Sequence, residues 1–241
     1  MADIFRLYIK EIYMYMRDTS AIIVCAGNST RMNGINKQFL TIKGIPVAAY
    51  SMMAFEKCES VDEIIISAKE DDIEKFMEIA EKYSVTKLSA VVKGGSTRQE
   101  SVLNAIRKVS DKTKLIAVHD GARPLANPEF IEKTIADARV FGGATLGVPV
   151  KDTIKVVSDN LIVDTPHRPS LYITQTPQVF KKSVYYEGMD FALEHGLDFT
   201  DDCQLAEAVG IKVYMTSGDY KNIKITTPED IRIAEALMEV Q

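Results

Sequence analysis

Groups able to handle phosphate, charged side chains or glycine backbone, stand at four places in this sequence. They are Arg31 and Lys37 in the segment that starts at Gly27, the Gly94-Gly95 pair leading to Ser101, Asp120 and Arg123 just after His119, and Lys224 between Asn222 and Thr226. The first place is the most telling. Residues 21–25 (AIIVC) have the length and β-branched character of a buried parallel strand, Ala26-Gly27 breaks the run, and a polar loop carrying both cations follows. Small residues at a strand's C-terminal end let backbone N–H groups approach an anion, and parallel α/β sheets place their ligands at that edge. Anion binding in a phosphate cradle is the chemistry this implies. No Gly-Lys-Ser/Thr closes the loop and the G-x-G-x-x-G spacing is absent, so alone the stretch reads equally well as a strand-to-helix turn with two solvated cations. The other three places tip the balance, because unrelated surface loops have no reason to bring Gly, Asp, Arg and Lys to one edge.

What must hold these groups is an alternation of strands and helices. Apolar runs at 63–68, 88–92, 115–118, 144–150 and 212–215 read as strands, and the patterns at 46–57, 71–82, 96–109, 128–139 and 182–195 as helices. Ser96 is placed to cap the third helix, Thr200 or Asp201 a short helix over 200–209, and Thr227-Pro228 opens the last. Thr176-Pro177-Gln178 reads as a rigid turn and 222–225 as a short extended piece. The alternation predicts an α/β fold, a three-layer, mostly parallel sheet with right-handed crossovers.

Residues 151–170 break the rhythm. The β-prone runs 153–157 and 161–164, joined by Ser158-Asp159-Asn160, predict a hairpin with little to bury, hence a projecting arm and a homodimer formed through it. Residues 1–20 are expected to be an N-terminal extension, either helical, since Phe5, Tyr8, Ile12 and Tyr15 recur at helical spacing, or disordered. Met16 makes a natural start, so the extension is expected to be dispensable for catalysis. Residues 21–241 then form one catalytic domain carrying the arm.

Composition narrows the class. With 29 Lys+Arg against 34 Asp+Glu the net charge is -5, which argues against a nucleic-acid-coating protein. An anion site here must be a local concentration of positive charge in a negative molecule. Cys25, Cys58 and Cys203 are far apart, odd in number and without C-x-x-C spacing, which points to free thiols in a reducing cytoplasm rather than disulfides or zinc. No apolar run approaches the ~20 residues of a membrane helix, and Arg6, Lys10 and Glu11 interrupt any signal-peptide core.

Seven segments, AGNSTRM with NKQFL, GGSTRQESV, HDGARP, PVKDTIK, HRPSLYITQTPQVF, FTDD and NIKITTPED, resemble in order and spacing the 2-C-methyl-D-erythritol 4-phosphate cytidylyltransferase family of the non-mevalonate isoprenoid pathway. The similarity runs from about Ser20 to the C-terminus. It implies a nucleotidyltransferase fold of the GT-A-like, Rossmann-related type with an inserted β-hairpin arm. It also implies a reaction: the phosphate of methylerythritol phosphate attacks the α-phosphorus of CTP and pyrophosphate leaves, with Mg²⁺ as cofactor. Such chemistry suits the residues present. A phosphomonoester is strongly anionic near neutral pH and needs positioning and charge cancellation, not a side chain to activate it. The chain, with three histidines, offers no obvious nucleophile and base pair.

Carried over by motif, Arg31 and Lys37 stabilise the charge at the α-phosphate, and Ala26 and Gly27 offer N–H groups to the triphosphate. Gly94, Gly95, Ser96 and Ser101 line the cytosine and ribose. Asp120 and Arg123 fall on the substrate side, with Asp120 facing the Mg²⁺ shell. Lys224, Thr226, Thr176 and Thr200 hold methylerythritol phosphate, and Arg168 and Thr153 reach the substrate phosphate of the neighbouring subunit. Ser29 stands where the family usually has a second glycine, Asn36 where it has proline, and Ser96 where some members have an acid. Two rivals share these features: a ribitol 5-phosphate cytidylyltransferase, and a CTP-binding protein without catalysis.

Overall fold

Strand β1 (Thr19–Val24) leads to a small antiparallel ribbon, β2 (Thr41–Ile42) and β3 (Ile45–Pro46), and helix α1 (Val47–Glu56), in a computed structural model that describes residues 16–27 and 36–239. The chain then alternates through β4 (Val61–Ala68), α2 (Ile73–Lys82), β5 (Leu88–Lys93), α3 (Arg98–Ile106), β6 (Leu115–Asp120), α4 (Pro128–Phe141) and β7 (Gly143–Pro149). Among the described residues, strands β8 (Val156–Ser158) and β9 (Leu161–Asp164) pair only with each other. Strand β10 (Tyr172–Lys181), helices α5 (Lys182–Glu194) and α6 (Cys203–Ala208), strand β11 (Tyr214–Ser217) and helix α7 (Glu229–Glu239) follow. Among the described residues the central sheet has seven strands in the order β11-β7-β10-β6-β1-β4-β5.

Period-two burial explains the layers. Ala21 and Ile23 of β1, Ile64 and Ile66 of β4, and Leu115 and Ala117 of β6 pack on one face with α1, α2 and α4. Ile22, Ile65, Ile116 and Val118 pack on the other with α3, α5 and α6. Strands covered on both faces read as continuous apolar runs, as parallel strands do. The sheet is mostly parallel, as the alternation predicts: β1 runs parallel to β4 and β6, β4 to β5, and β7 to β11, while β10 is antiparallel to β6 and β7.

Register then places the functional loops. Val24, the last residue of β1, is opposite Asp120 of β6 and Ser67 of β4, and Ser67 is opposite Val92 of β5. The loops beginning at Cys25, Gly94 and Gly121 therefore leave the same edge.

Several local expectations are corrected. β1 starts at Thr19, inside the stretch read as an extension, because Thr19 is fully buried between Val61 and Leu115. The cap of α3 is Thr97, whose hydroxyl accepts from Glu100 N at 3.1 Å; the Ser96 hydroxyl donates instead to the Glu100 carboxylate at 2.6 Å. The helix of the FTDD segment starts at Cys203, with Asp201 accepting from Gln204 N at 3.3 Å, while the Thr200 hydroxyl donates to the Gln204 side chain. Thr176-Pro177-Gln178 is not a turn but the middle of β10. The missing proline N–H shows as a gap in the ladder to β7 between Thr174 and Gln178. Residues 222–225 form no strand, yet Ile225 N donates to Ala122 O at 2.8 Å and ties them to the sheet's edge. The expected helix of Phe5, Tyr8, Ile12 and Tyr15 lies outside the described residues, as do Ser29 and Arg31.

Candidate active site

Two clefts open at the shared edge. The first, about 190 Å³, is lined by Ala26, Gly27, Lys37, Gly95, Ser96, Arg98, Ser101, Asp120 and Lys224, among others. The second, about 170 Å³, is lined by Arg98, Asp120, Arg123, Thr176, Thr200 and Lys224, with Gln178 and Asp201. Arg98, Asp120 and Lys224 belong to both and form the seam between them.

Two glycine-bearing turns form one wall of the first cleft. Gly94 packs so closely on Ala26 that a Cβ there would overlap the Ala26 side chain, so the loops after β1 and β5 sit against each other only because residue 94 has none. The Ser101 hydroxyl accepts from Gly95 N at 3.0 Å and donates to Thr97 O at 2.8 Å, which fixes the path of the Gly-Gly turn. Lys37 Nζ donates to Ile225 O at 2.9 Å, linking the first polar loop to the 222–225 segment. Asn36, where the resemblance leads one to expect proline, ties the same loop by its side chain, donating to Asp72 Oδ2 at 2.6 Å and accepting from Gln38 N at 3.1 Å.

Cations crowd the seam. Lys224 Nζ lies 2.8 Å from Asp120 Oδ2, Arg98 Nε 3.6 Å from Asp120 Oδ1, and Arg123 Nε 3.7 Å from Asp120 Oδ2. Burial raises the Asp120 pKa, but Lys224, Arg98 and Arg123 outweigh it and hold the carboxyl well below the usual range. Burial lowers the pKa of Arg98, yet Asp202 and Asp120 keep its guanidinium firmly charged. Arg123 Nη1 donates to Asn222 O at 2.7 Å, which aims the side chain along the second cleft. The Thr176 hydroxyl accepts from Asp120 N at 3.1 Å and meets His119 Nδ1 at 3.0 Å. Burial pushes the His119 pKa down to about 3, so its imidazole is neutral. Cys25, fully buried beside this site, has its thiol pushed far up, first by burial and then by Asp120. It is not a reactive thiolate.

Most of the residues singled out from sequence thus meet at one edge. Thr226, two residues past Lys224, lines neither cleft, and its hydroxyl and N–H both go to Asp230 Oδ2, at 2.9 and 2.7 Å. Thr153 and Arg168 are exposed and line neither cleft; Arg168 Nη1 donates to Lys151 O at 3.1 Å. Sequence reasoning missed Arg98, the one arginine of GGSTRQESV. Its signal was position, since a cation opening a helix straight after a Gly-Gly turn points back over that turn.

Glycine-lined backbone facing one cleft, polar side chains facing the other, and cations on the seam define an α/β transferase that brings two anions together. Comparison with known proteins narrows this. The family model described as 2-C-methyl-D-erythritol 4-phosphate cytidylyltransferase matches residues 19–240, and the chain belongs to that family. It is 48% identical over 224 residues to the protein of that name from Caldanaerobacter subterraneus subsp. tengcongensis, covering 92% of this chain and 99% of that one. With its namesake from Clostridium botulinum strain Loch Maree it shares 42% over 226 residues, 93% and 99% of the two chains. The crystal structure of 4-diphosphocytidyl-2C-methyl-D-erythritol synthase from Anaerococcus prevotii superposes with a TM-score of 0.84 at 32% identity, covering 95% of this chain and 99% of that one. That of 2-C-methyl-D-erythritol 4-phosphate cytidylyltransferase from Thermus thermophilus gives 0.76 at 28%, covering 92% and 100%.

Proposed function

We propose that this protein transfers the cytidylyl group of CTP to 2-C-methyl-D-erythritol 4-phosphate and releases pyrophosphate. The observation that carries the reading is the seam: Asp120, Lys224 and Arg98 face both clefts, so ligands in the two must meet there. CTP takes the backbone-lined cleft, with Ala26, Gly27, Gly95 and Ser96 along it and Gly94 and Ser101 shaping it. The polyol phosphate takes the second, against Arg123, Thr176 and Thr200. The acceptor's phosphate oxygen attacks the α-phosphorus in line, the bond to the β-phosphate oxygen breaks, and pyrophosphate leaves. Lys37, Lys224 and Arg31 offset the charge as two anions close, and positioning does the rest.

The donor set fits a magnesium ion carried largely by the triphosphate and water. Among the described residues Asp120 is the one carboxylate lining the first cleft, and its Oδ1 accepts no hydrogen bond from any of them, Arg98 Nε being 3.6 Å away. Bound there, Mg²⁺ would neutralise phosphate charge with Asp120 in its shell. The arm supports a homodimer. Leu161, Ile162 and Val163 are 70%, 64% and 58% exposed, a degree of apolar exposure that a second copy would cover. Arg168 and Thr153 would then serve the neighbouring subunit's site. Buried free thiols at Cys25, Cys58 and Cys203 fit a cytoplasmic location.

Pyrophosphate release from CTP and Mg²⁺ tests the reading, with methylerythritol phosphate and ribitol 5-phosphate offered separately. Release with the first is expected; release with ribitol phosphate alone, or CTP binding with no release, would replace it with one of the rivals. Lys37→Ala should lower kcat by about 10²- to 10³-fold with the fold retained, the size seen when one charge-stabilising donor is removed.

A further inference from the structure

Arg98 reaches both clefts and is held there by a carboxylate that lines neither. Asp202, buried in the loop before α6, places Oδ2 2.5 Å from Arg98 Nη2, and its Oδ1 accepts from Tyr185 Oη at 2.6 Å. Burial and the adjoining Asp202 push the Tyr185 hydroxyl well above its ordinary pKa, so it stays a neutral donor. The backbone N–H groups of Asp202 and Cys203 donate to Gln178 Oε1 at 2.8 and 3.2 Å, which pins the carboxylate's own main chain to β10.

Both Asp202 oxygens are thereby engaged, and one edge of the guanidinium is left over. Arg98 Nε turns to Asp120 and Nη2 to Asp202, while no described residue accepts from Nη1. A planar fork clamped between two carboxylates has a fixed orientation, and its remaining N–H groups suit an anion at the seam. The neighbours of Asp202 matter as well, for Thr200 and Asp201 line the second cleft.

We propose that Asp202 is a positioning residue: acting through Arg98, it sets the donor edge that captures the phosphate of the acceptor. This rests on the two-substrate reading above. Asp202 touches no substrate itself, so removing its charge releases the guanidinium from its fixed orientation and misplaces that donor edge. The nucleotide cleft keeps its backbone walls.

The test uses the full chain with pyrophosphate release as the readout, and CTP affinity measured by calorimetry without acceptor. Asp202→Asn is expected to raise the acceptor KM about tenfold or more while CTP affinity stays within about twofold, and Arg98→Met, which removes a cation lining both clefts, to raise the acceptor KM at least as much. The double variant should be no worse than Arg98→Met alone, because the two residues act as one unit. Asp202→Glu should restore much of the acceptor KM. Tyr185→Phe should lower Tm without that rise in KM, separating fold from positioning. Should Asp202→Asn fail to fold, Arg98→Lys, which keeps the charge but not the fork, is read the same way. An unmoved acceptor KM in the folded variants, or fully additive losses in the double, would overturn the proposal. A wild-type chain that releases no pyrophosphate with any polyol phosphate would instead remove the function it rests on.

Discussion

Asp120 is where the charges of the site balance, and its neighbour His119 shows how burial sets protonation one residue away. The carboxylate is buried yet ionised because Lys224, Arg98 and Arg123 surround it. The imidazole is buried and neutral because burial outweighs the pull of Asp120 on a proton there, and Nε2 has no partner among the described residues. The two act in the same direction on stability. His119, at about 3 in the fold against an ordinary value of ~6.5, contributes fully above pH ~6.5, and that contribution is lost as pH falls toward 3. Asp120 adds to the loss in a lower window, below the ordinary carboxyl range of about 3.9. His119→Asn should therefore flatten the acid limb of stability between pH 6.5 and 4. The wild-type slope from this group approaches ~1.4 kcal/mol per pH unit. Urea midpoints measured across that range check it, and parallel limbs in the two proteins would show that His119 is not the group responsible.

At the scale of elements, the site depends on how closely turns after neighbouring strands approach. The turn after β5 rests on the turn after β1 through Gly94 and Ala26, and Thr97 and Ser101 lock it from the start of α3. Gly94→Ala should push the two turns apart and weaken CTP binding at least about tenfold, since a misplaced backbone donor costs more than its own hydrogen bond. Calorimetric titration with CTP reads this directly, and unchanged affinity would mean that the cleft does not depend on this contact. Sequence periodicity found the helices and most of the strands, though not β2, β3 or β10, and none of these locks. Ser96 and Thr97 are both good caps by type, and only the side-chain geometry selects Thr97. Thr176-Pro177-Gln178 has the composition of a turn, yet it lies inside β10, which pairs with β7 before it over 172–174 and with both β6 and β7 from Gln178 onward.

For the molecule as a whole, the exposed arm is the feature that a single copy leaves unexplained. A two-stranded ribbon with outward apolar side chains is marginal in water unless something covers it. The dimer proposed here leads to a joint expectation for Ile162→Asp: the wild type sediments as a dimer, the variant as a monomer, and the variant loses most of its turnover. Sedimentation velocity and pyrophosphate release measure the two halves independently. A fully active monomer would remove Arg168 and Thr153 from any role across subunits.

The alternation of most strands with the helices and the four phosphate-handling segments were present in the sequence, because each rests on short-range periodicity or on a motif within a dozen residues; β10, read as a turn at Thr176-Pro177-Gln178, was not. Tertiary structure alone decided that β10 runs against its neighbours, that His119 meets Thr176 57 positions away, and that Asp202 holds Arg98 across 104. Such partners leave no local pattern. They are chosen by which buried donor lies within reach of which acceptor once the sheet has closed, and a linear string carries no record of that distance.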